Sequence, residues 1–206
     1  MRKVFGVAVI LLSIRGCIAA GQAPALETFT SSDGTFRFVY PQTYDLLIGE
    51  RMLRATQGRR VGIPVCDFAT ALACVIYPVE TTDEASFEAA GFSVRTVSGV
   101  SEESDCLTYA DQSWPPGQPF ELSSIAINDR RFRHALIRKT ISGHRQQADL
   151  YRTFDRKNCY QLQIEVSVSD GPQAPKTPKS RSLGAVEADD ARESLKLILS
   201  SVVFER

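Results

Sequence analysis

The chain of 206 residues reads as an α+β protein, a mainly antiparallel β-sheet covered by a few helices. Three observations predict this. Strand-like segments follow one another near 122–127, 132–141, 145–154 and 159–168 without intervening crossover helices, which favours antiparallel neighbours. The hydrophobic period turns helical at 81–90 and then returns to strand. Ala191, Leu195, Ile198, Leu199 and Val202 recur at helical spacing, so an amphipathic C-terminal helix should dock its apolar face on the sheet. Hydrophobic residues make up 43% of the chain and charged residues 23%; that is ordinary for a globular protein whose core needs no metal.

The elements follow in order. Arg2 and Lys3 precede an apolar run of eleven residues, Val4 to Ile14, and small residues follow at Gly16, Ala19, Ala20 and Gly21. This is the pattern of a secretory signal, taken as residues 1–20, with cleavage after Ala19, Ala20 or Gly21. As a helix the run would rise only about 16 Å, short of the roughly 20 residues that a membrane span needs. Ile14-Arg15-Gly16-Cys17 offers a lipoprotein alternative with Cys17 lipidated, although Arg15 fits that box poorly. A lead-in at 21–30 and a globular domain over 31–206 should follow.

Ser31-Ser32-Asp33-Gly34 signals a turn before a strand in which Phe36, Phe38 and Tyr40 alternate with Arg37 and Val39. Residues 44–52 fit a strand or irregular chain equally. Cys74 to Pro78 is a short apolar strand. Thr81 with Glu84 forms a capping box opening a helix that carries Phe87 and Ala90 and stops at Gly91. Phe92 to Val97 is strand again, and Ser101 to Asp105 an acidic loop. The prolines around Trp114 exclude regular structure. Ser142-Gly143-His144 joins two strands as a hairpin turn. In the next strand Tyr160, Leu162, Ile164, Val166 and Val168 alternate with Gln161, Gln163, Glu165 and Ser167. Residues 170–188 read as a mobile loop, and Asp190 as the N-cap of the last helix.

With Cys17 assigned to the signal, four cysteines remain: Cys66, Cys74, Cys106 and Cys159. An even count in an exported chain implies two disulfides, with three possible pairings. We expect Cys66 with Cys74 and Cys106 with Cys159. The rival, a four-cysteine zinc site, lacks any CxxC pair. Compartment then follows as secreted or periplasmic.

Two segments resemble a known family. Gly34-Thr35-Phe36-Arg37-Phe38-Val39-Tyr40-Pro41, with Tyr44 just beyond, resembles the opening strand of PsbP-like proteins, a group of exported bacterial lipoproteins and the extrinsic photosystem II subunit. The closing Leu199-Ser200-Ser201-Val202-Val203-Phe204 is similar too. The resemblance implies an α+β fold and an exported setting; its motifs are core and turn residues, and it transfers no catalytic residue.

Motifs for chemistry are missing. There is no GxSxG, HExxH, P-loop or Gly-rich dinucleotide turn, so neither a cofactor nor an enzymatic activity is expected. The two histidines, His134 and His144, read as a strand residue and a turn residue. Glu102-Glu103 and Asp189-Asp190 are the obvious carboxylate pairs for glycoside-type hydrolysis. The first reads as a solvated loop and the second as a helix N-terminus.

Charge is balanced at 24 basic and 24 acidic residues, which argues against a nucleic-acid protein. Its distribution is uneven: 80–112 carries eight acids and one base (net −7), and 130–158 nine bases and two acids (net +7). A basic strand face could meet an anionic envelope component or an acidic protein. Arg133, Arg138, Arg145 and Arg152 are its candidate residues, and Trp114 a candidate aromatic anchor. The expected function is therefore a non-enzymatic binding or accessory module of the cell envelope. The alternative is an envelope hydrolase with a carboxylate site, which would need two acids converging in a concave pocket.

Overall fold

Alternating apolar residues dictate the core. A computed structural model describes residues 24–49, 66, 71–78, 87–109, 121–141, 143–169 and 183–205. The expected signal, Cys17, the Thr81–Glu84 capping box, Trp114 and the 170–182 part of the expected loop lie outside them. The strands are β1 (Leu26–Thr30), β2 (Phe36–Pro41), β3 (Asp45–Leu47), β4 (Ala71–Ile76), β5 (Phe87–Thr96), β6 (Glu121–Ile127), β7 (Arg130–Ile141), β8 (His144–Asp155), β9 (Asn158–Ser169) and β10 (Val203–Phe204). The helices are α1 (Glu103–Thr108) and α2 (Leu183–Ser200). A seven-stranded sheet runs β3-β4-β5-β9-β8-β7-β6 and a three-stranded one β1-β2-β10; every described ladder is antiparallel.

Phe36 and Phe38 are fully buried, as the β2 alternation requires. Phe38 meets Phe92 of β5 edge-on at 5.3 Å, and Phe36 meets Tyr160 of β9 at 6.1 Å. The small sheet thus lies on one face of the large one, beside α2, which buries Ala191, Leu195, Ile198 and Leu199 in the same core. Ser201 ties the end of α2 to the small sheet, its hydroxyl accepting from the Val39 amide at 2.8 Å. The turn before β2 forms as expected. Asp33 accepts from the Ser31 hydroxyl and the Thr35 amide, Gly34 takes φ +68°, and hydrogen bonds from Thr35 and Ser31 hold the Asp33 carboxyl down at about 2.

On the opposite face α1 is fastened by the Cys106–Cys159 disulfide, and Cys66–Cys74 clamps the β4 end. Both pairings match the expectation. Tyr109, the left-handed cap of α1 (φ +58°), covers Ala135, Ile137 and Leu150.

Four local expectations are corrected. The expected lead-in contains β1, whose Phe29 is drawn onto Phe38 at 5.0 Å. Phe87 to Ala90 are strand and not helix. Pairing of β5 with β9 from Phe87↔Val168 to Thr96↔Tyr160 overrides the helical preference of the alanines, and Gly91 lies mid-strand. Glu103 to Thr108 are helical, so the helix takes in Glu103 to Asp105 of the acidic loop expected at 101–105. Last, α2 begins at Leu183, so 183–188 belong to the helix and Asp190 lies inside it instead of capping it.

Candidate functional site

Strand register decides which polar side chains can meet. His134 of β7 stands opposite Tyr151 of β8, and Ser123 of β6 opposite His134. Side chains alternate along a strand, so Ser123, His134, Tyr151 and Asp149 all face α2. The Asp149 side chain is only 3% exposed. Its carboxylate accepts from Arg192 of α2 in a bidentate fork (Nε to Oδ2 2.9 Å, Nη2 to Oδ1 3.0 Å) and from His134 Nε2 at 3.0 Å. The amide of Gln147 completes the guanidinium's shell when its oxygen is turned toward it, at 2.8 Å. Burial by itself would push the Asp149 carboxyl up. The His134 hydrogen bond and the charge of Arg192 outweigh burial and hold it below the ordinary carboxylate value. Burial beside Asp149 also pushes the Tyr151 phenol well up.

His134 stacks on Tyr151 at 4.7 Å, and its Nδ1 lies 3.1 Å from the Ser123 hydroxyl. One ring nitrogen of His134 thus faces the Asp149 carboxylate and the other the Ser123 hydroxyl. Serine, histidine and aspartate are therefore connected in the order of a charge relay. Other features of a nucleophile site differ. Ser123 sits inside a regular edge strand with no left-handed residue beside it, unlike a strained nucleophile elbow. The aspartate also shares its charge with Arg192.

The opposite face carries a second polar ladder, built from alternate residues of β9. Arg152 is fully buried, stacked on the Tyr109 ring (4.2 Å) and donating Nε–H to Gln161 at 2.8 Å. Gln161 donates to Gln163 at 3.3 Å, and Gln163 to Glu165 at 2.7 Å. Ser167 donates to Glu88 at 2.6 Å, and His144 Nδ1 lies 2.5 Å from the other oxygen of that carboxylate. Burial pushes Glu165 above its ordinary value, outweighing the Gln163 hydrogen bond and the charge of Lys139.

The expected sites fare as follows. Asp149 and Glu165 are the acids with shifts in opposite directions, and they lie on opposite faces: Asp149 opposes Ile164, and Glu165 opposes Ala148. They form no pair. Glu102, Glu103, Asp189 and Asp190 are all exposed. The single basic face is corrected. Arg133 pairs with Arg152 on the α1 side, whereas Arg138 and Arg145 stand on the α2 side, opposite Gln147 and Thr140. Arg152 is buried and Arg133 half-buried; Arg138 and Arg145 are exposed near the β7–β8 hairpin. Trp114 lies outside the described residues. Asp149 and Arg192, 43 positions apart, had no sequence signal beyond their charge. A recess of about 470 Å³ at the β6–β7 turn is lined by Ser124, Ile125, Ala126 and the residues from Asn128 to Arg131; none belongs to either ladder. Among the described residues no three metal-ligating side chains converge, and no helix is long and apolar enough to cross a membrane.

Fold and ladders together define an α+β protein with a disulfide-fastened antiparallel sheet that carries a polar cluster on each face. No family model matches the chain, and no curated protein matches it. Solved structures of similar fold include a protein from Bacteroides thetaiotaomicron (10% identity, TM-score 0.47, covering 87% of this chain and 48% of that one). LpqN of Mycobacterium tuberculosis, involved in cell envelope biogenesis, is another (8%, 0.49, 88% and 91%). A third is cyanobacterial PsbP from Synechocystis (11%, 0.41, 93% and 99%). The chain spans about half the length of the Bacteroides protein. PsbP, whose group the two sequence segments resemble, is thus among the structural neighbours at low identity.

Proposed function

We propose that this chain is a non-enzymatic binding or accessory module of the cell envelope, working outside the reducing cytosol and meeting an anionic partner through β7. One observation carries the reading. Among the described residues, His134, Asp149 and Arg192 are occupied by one another, as are His144 and Glu88, while the cations Arg131, Arg138 and Lys139 of β7 are exposed. Exposed cations steer an anionic partner, and here they stand on both faces of one strand. The two disulfides fit an oxidising compartment. The test is capture of envelope components by the purified protein at low and high salt, beside an Arg131→Glu, Arg138→Glu, Lys139→Glu variant. Salt-sensitive capture lost in the variant supports the reading; equal capture by both proteins refutes it.

The Ser123–His134–Asp149 connection favours a second reading, a serine hydrolase. Covalent labelling of Ser123 by a fluorophosphonate, abolished in His134→Ala, would establish it against the first.

A further inference from the structure

β6 is an outer strand of the seven-stranded sheet, and among the described residues it pairs only with β7. Of its seven residues, Glu121 to Ser124 and Ala126 are exposed. Edges of this kind are normally protected by charge, proline, a bulge or a covering element, because their outward N–H and C=O groups template another strand. From Leu122 to Ile127 the strand has no charged residue and no proline, and its register with β7 is unbroken.

The face of β6 toward α1 adds a second observation. It presents Leu122, Ser124 and Ala126, which stand opposite Ala135, Arg133 and Arg131. Ser124 and Ala126 are small, so the two arginines can lie across them. Arg133 already does: its Nη1 donates to the Ser124 hydroxyl at 3.2 Å. A guanidinium in that place has crossed the first strand spacing of about 4.8 Å and reaches the outer strand.

We infer that β6 is the docking edge for an extended acidic segment of a partner protein, which adds to the sheet as a further strand. Acidic side chains opposite Ser124 and Ala126 meet Arg133 and Arg131, and an apolar side chain rests on Leu122. A strand edge recognises a polypeptide backbone, which neither a polysaccharide nor a lipid headgroup supplies. A second copy is disfavoured by charge. Pairing β6 with itself antiparallel would set the arginines of both copies on one face with only the two edge strands between them, and like charges so placed repel. This inference rests on the binding-module reading and names its partner class.

The test uses the disulfide-bonded protein and a strand-length, end-capped peptide alternating glutamate with threonine, with valine near one end. Binding is read by hydrogen exchange of the β6 amides and by titration at low and high salt. We expect the acidic peptide to protect amides within 121–127, and affinity to fall about tenfold in Arg131→Glu, Arg133→Glu. A lysine version of the peptide should not bind. Versions N-methylated along one backbone edge or the other should lose binding for one edge only. Protection elsewhere on the protein, or equal binding of both N-methylated peptides, overturns the strand-addition geometry. Protection of β6 that rises with protein concentration and no peptide assigns the edge to a second copy and overturns the acidic partner. If the acidic peptide fails but salt-sensitive capture of envelope components persists, this inference falls and the module reading stands; loss of both ends both.

Discussion

Replacing Arg192 by methionine should destabilise the protein by about 2–3 kcal/mol, because it leaves the Asp149 carboxylate buried without its guanidinium partner. Breaking a fully buried ion pair costs roughly 3–5 kcal/mol. Two features reduce that here: the Arg192 side chain is 27% exposed and therefore partly hydrated, and the His134 hydrogen bond survives. Methionine retains most of the arginine stem, so the loss reports the guanidinium rather than its packing. The double variant Asp149→Leu, Arg192→Met removes the orphaned charge and should recover most of the loss, giving a coupling of about 2 kcal/mol in the cycle. Urea unfolding at neutral pH measures all four corners. The pH dependence supplies a second readout. Asp149 lies below its ordinary value in the folded state, so its contribution is complete above the unfolded carboxylate value of about 3.9 and disappears as pH falls through the folded value. Arg192→Met should flatten that acid limb. A single-variant loss below about 0.5 kcal/mol, or a double variant no more stable than the sum of its singles, would refute the account of the clamp.

Three further outcomes are expected. Cys106→Ala, Cys159→Ala opens a loop with a sequence separation of 53; this should lower stability by about 4 kcal/mol in the chain-entropy picture, and added reductant should shift the variant's unfolding curve, which keeps only the short Cys66–Cys74 loop, far less than the parent's. Tyr109→Phe deprives the Arg133 and Leu150 carbonyls of a hydroxyl 3.0 Å from each; urea unfolding should register a loss of about 1 kcal/mol. Glu165→Gln removes a carboxyl whose folded value is raised by burial. The parent's stability from this group is present below the unfolded value, about 4.3, and is lost as pH rises through the folded value. The glutamine variant should therefore show a higher urea midpoint at neutral pH and no decline across that window.

The central sheet was legible because its strands alternate over long stretches. β9 shows five apolar positions in phase, and all of them face the helical layer. The turn at Gly143 was legible for a related reason, since φ +83° there suits glycine. The next turn was not: Arg156 and Lys157 take φ +45° and +68°, a conformation usually signalled by Asn-Gly. β5 was misread because Glu, Ala and Ala at 88–90 favour helix, and only long-range pairing with β9 overrides them. The polar phase of β9 was legible as a phase only. Alternation located Gln161, Gln163, Glu165 and Ser167 on one face, but not the burial that Gln161 and Ser167 reach there, at 0% and 1% exposure. Burial depends on what covers a face, and a strand's own period carries no information about its cover. The Asp149 clamp was invisible for the same reason, as it joins β8 to a helix 43 positions away.

The basic segment shows how register changes the meaning of charge. Read along the chain, Arg133, Arg138, Arg145 and Arg152 form one cationic run; read across β7 and β8, they divide between two faces. Arg152 becomes an internal group, stacked on Tyr109 and held by Gln161. Its burial removes it from any direct partner contact, but it helps fix Gln161 and, through it, the side-chain ladder on β9. Arg133 keeps a partly exposed head and reaches over Ser124 to the outer strand. The same sequence of arginines thus separates into one that organises the sheet and one that extends its electrostatic reach to an edge. The Asp149 and β9 clusters direct most of their polar side chains to one another, whereas at β6 an outer strand and the Arg131 and Arg133 cations coincide. A binding function for this protein is for that reason argued best from an edge, and the deep polar clusters are better understood as what holds that edge in position.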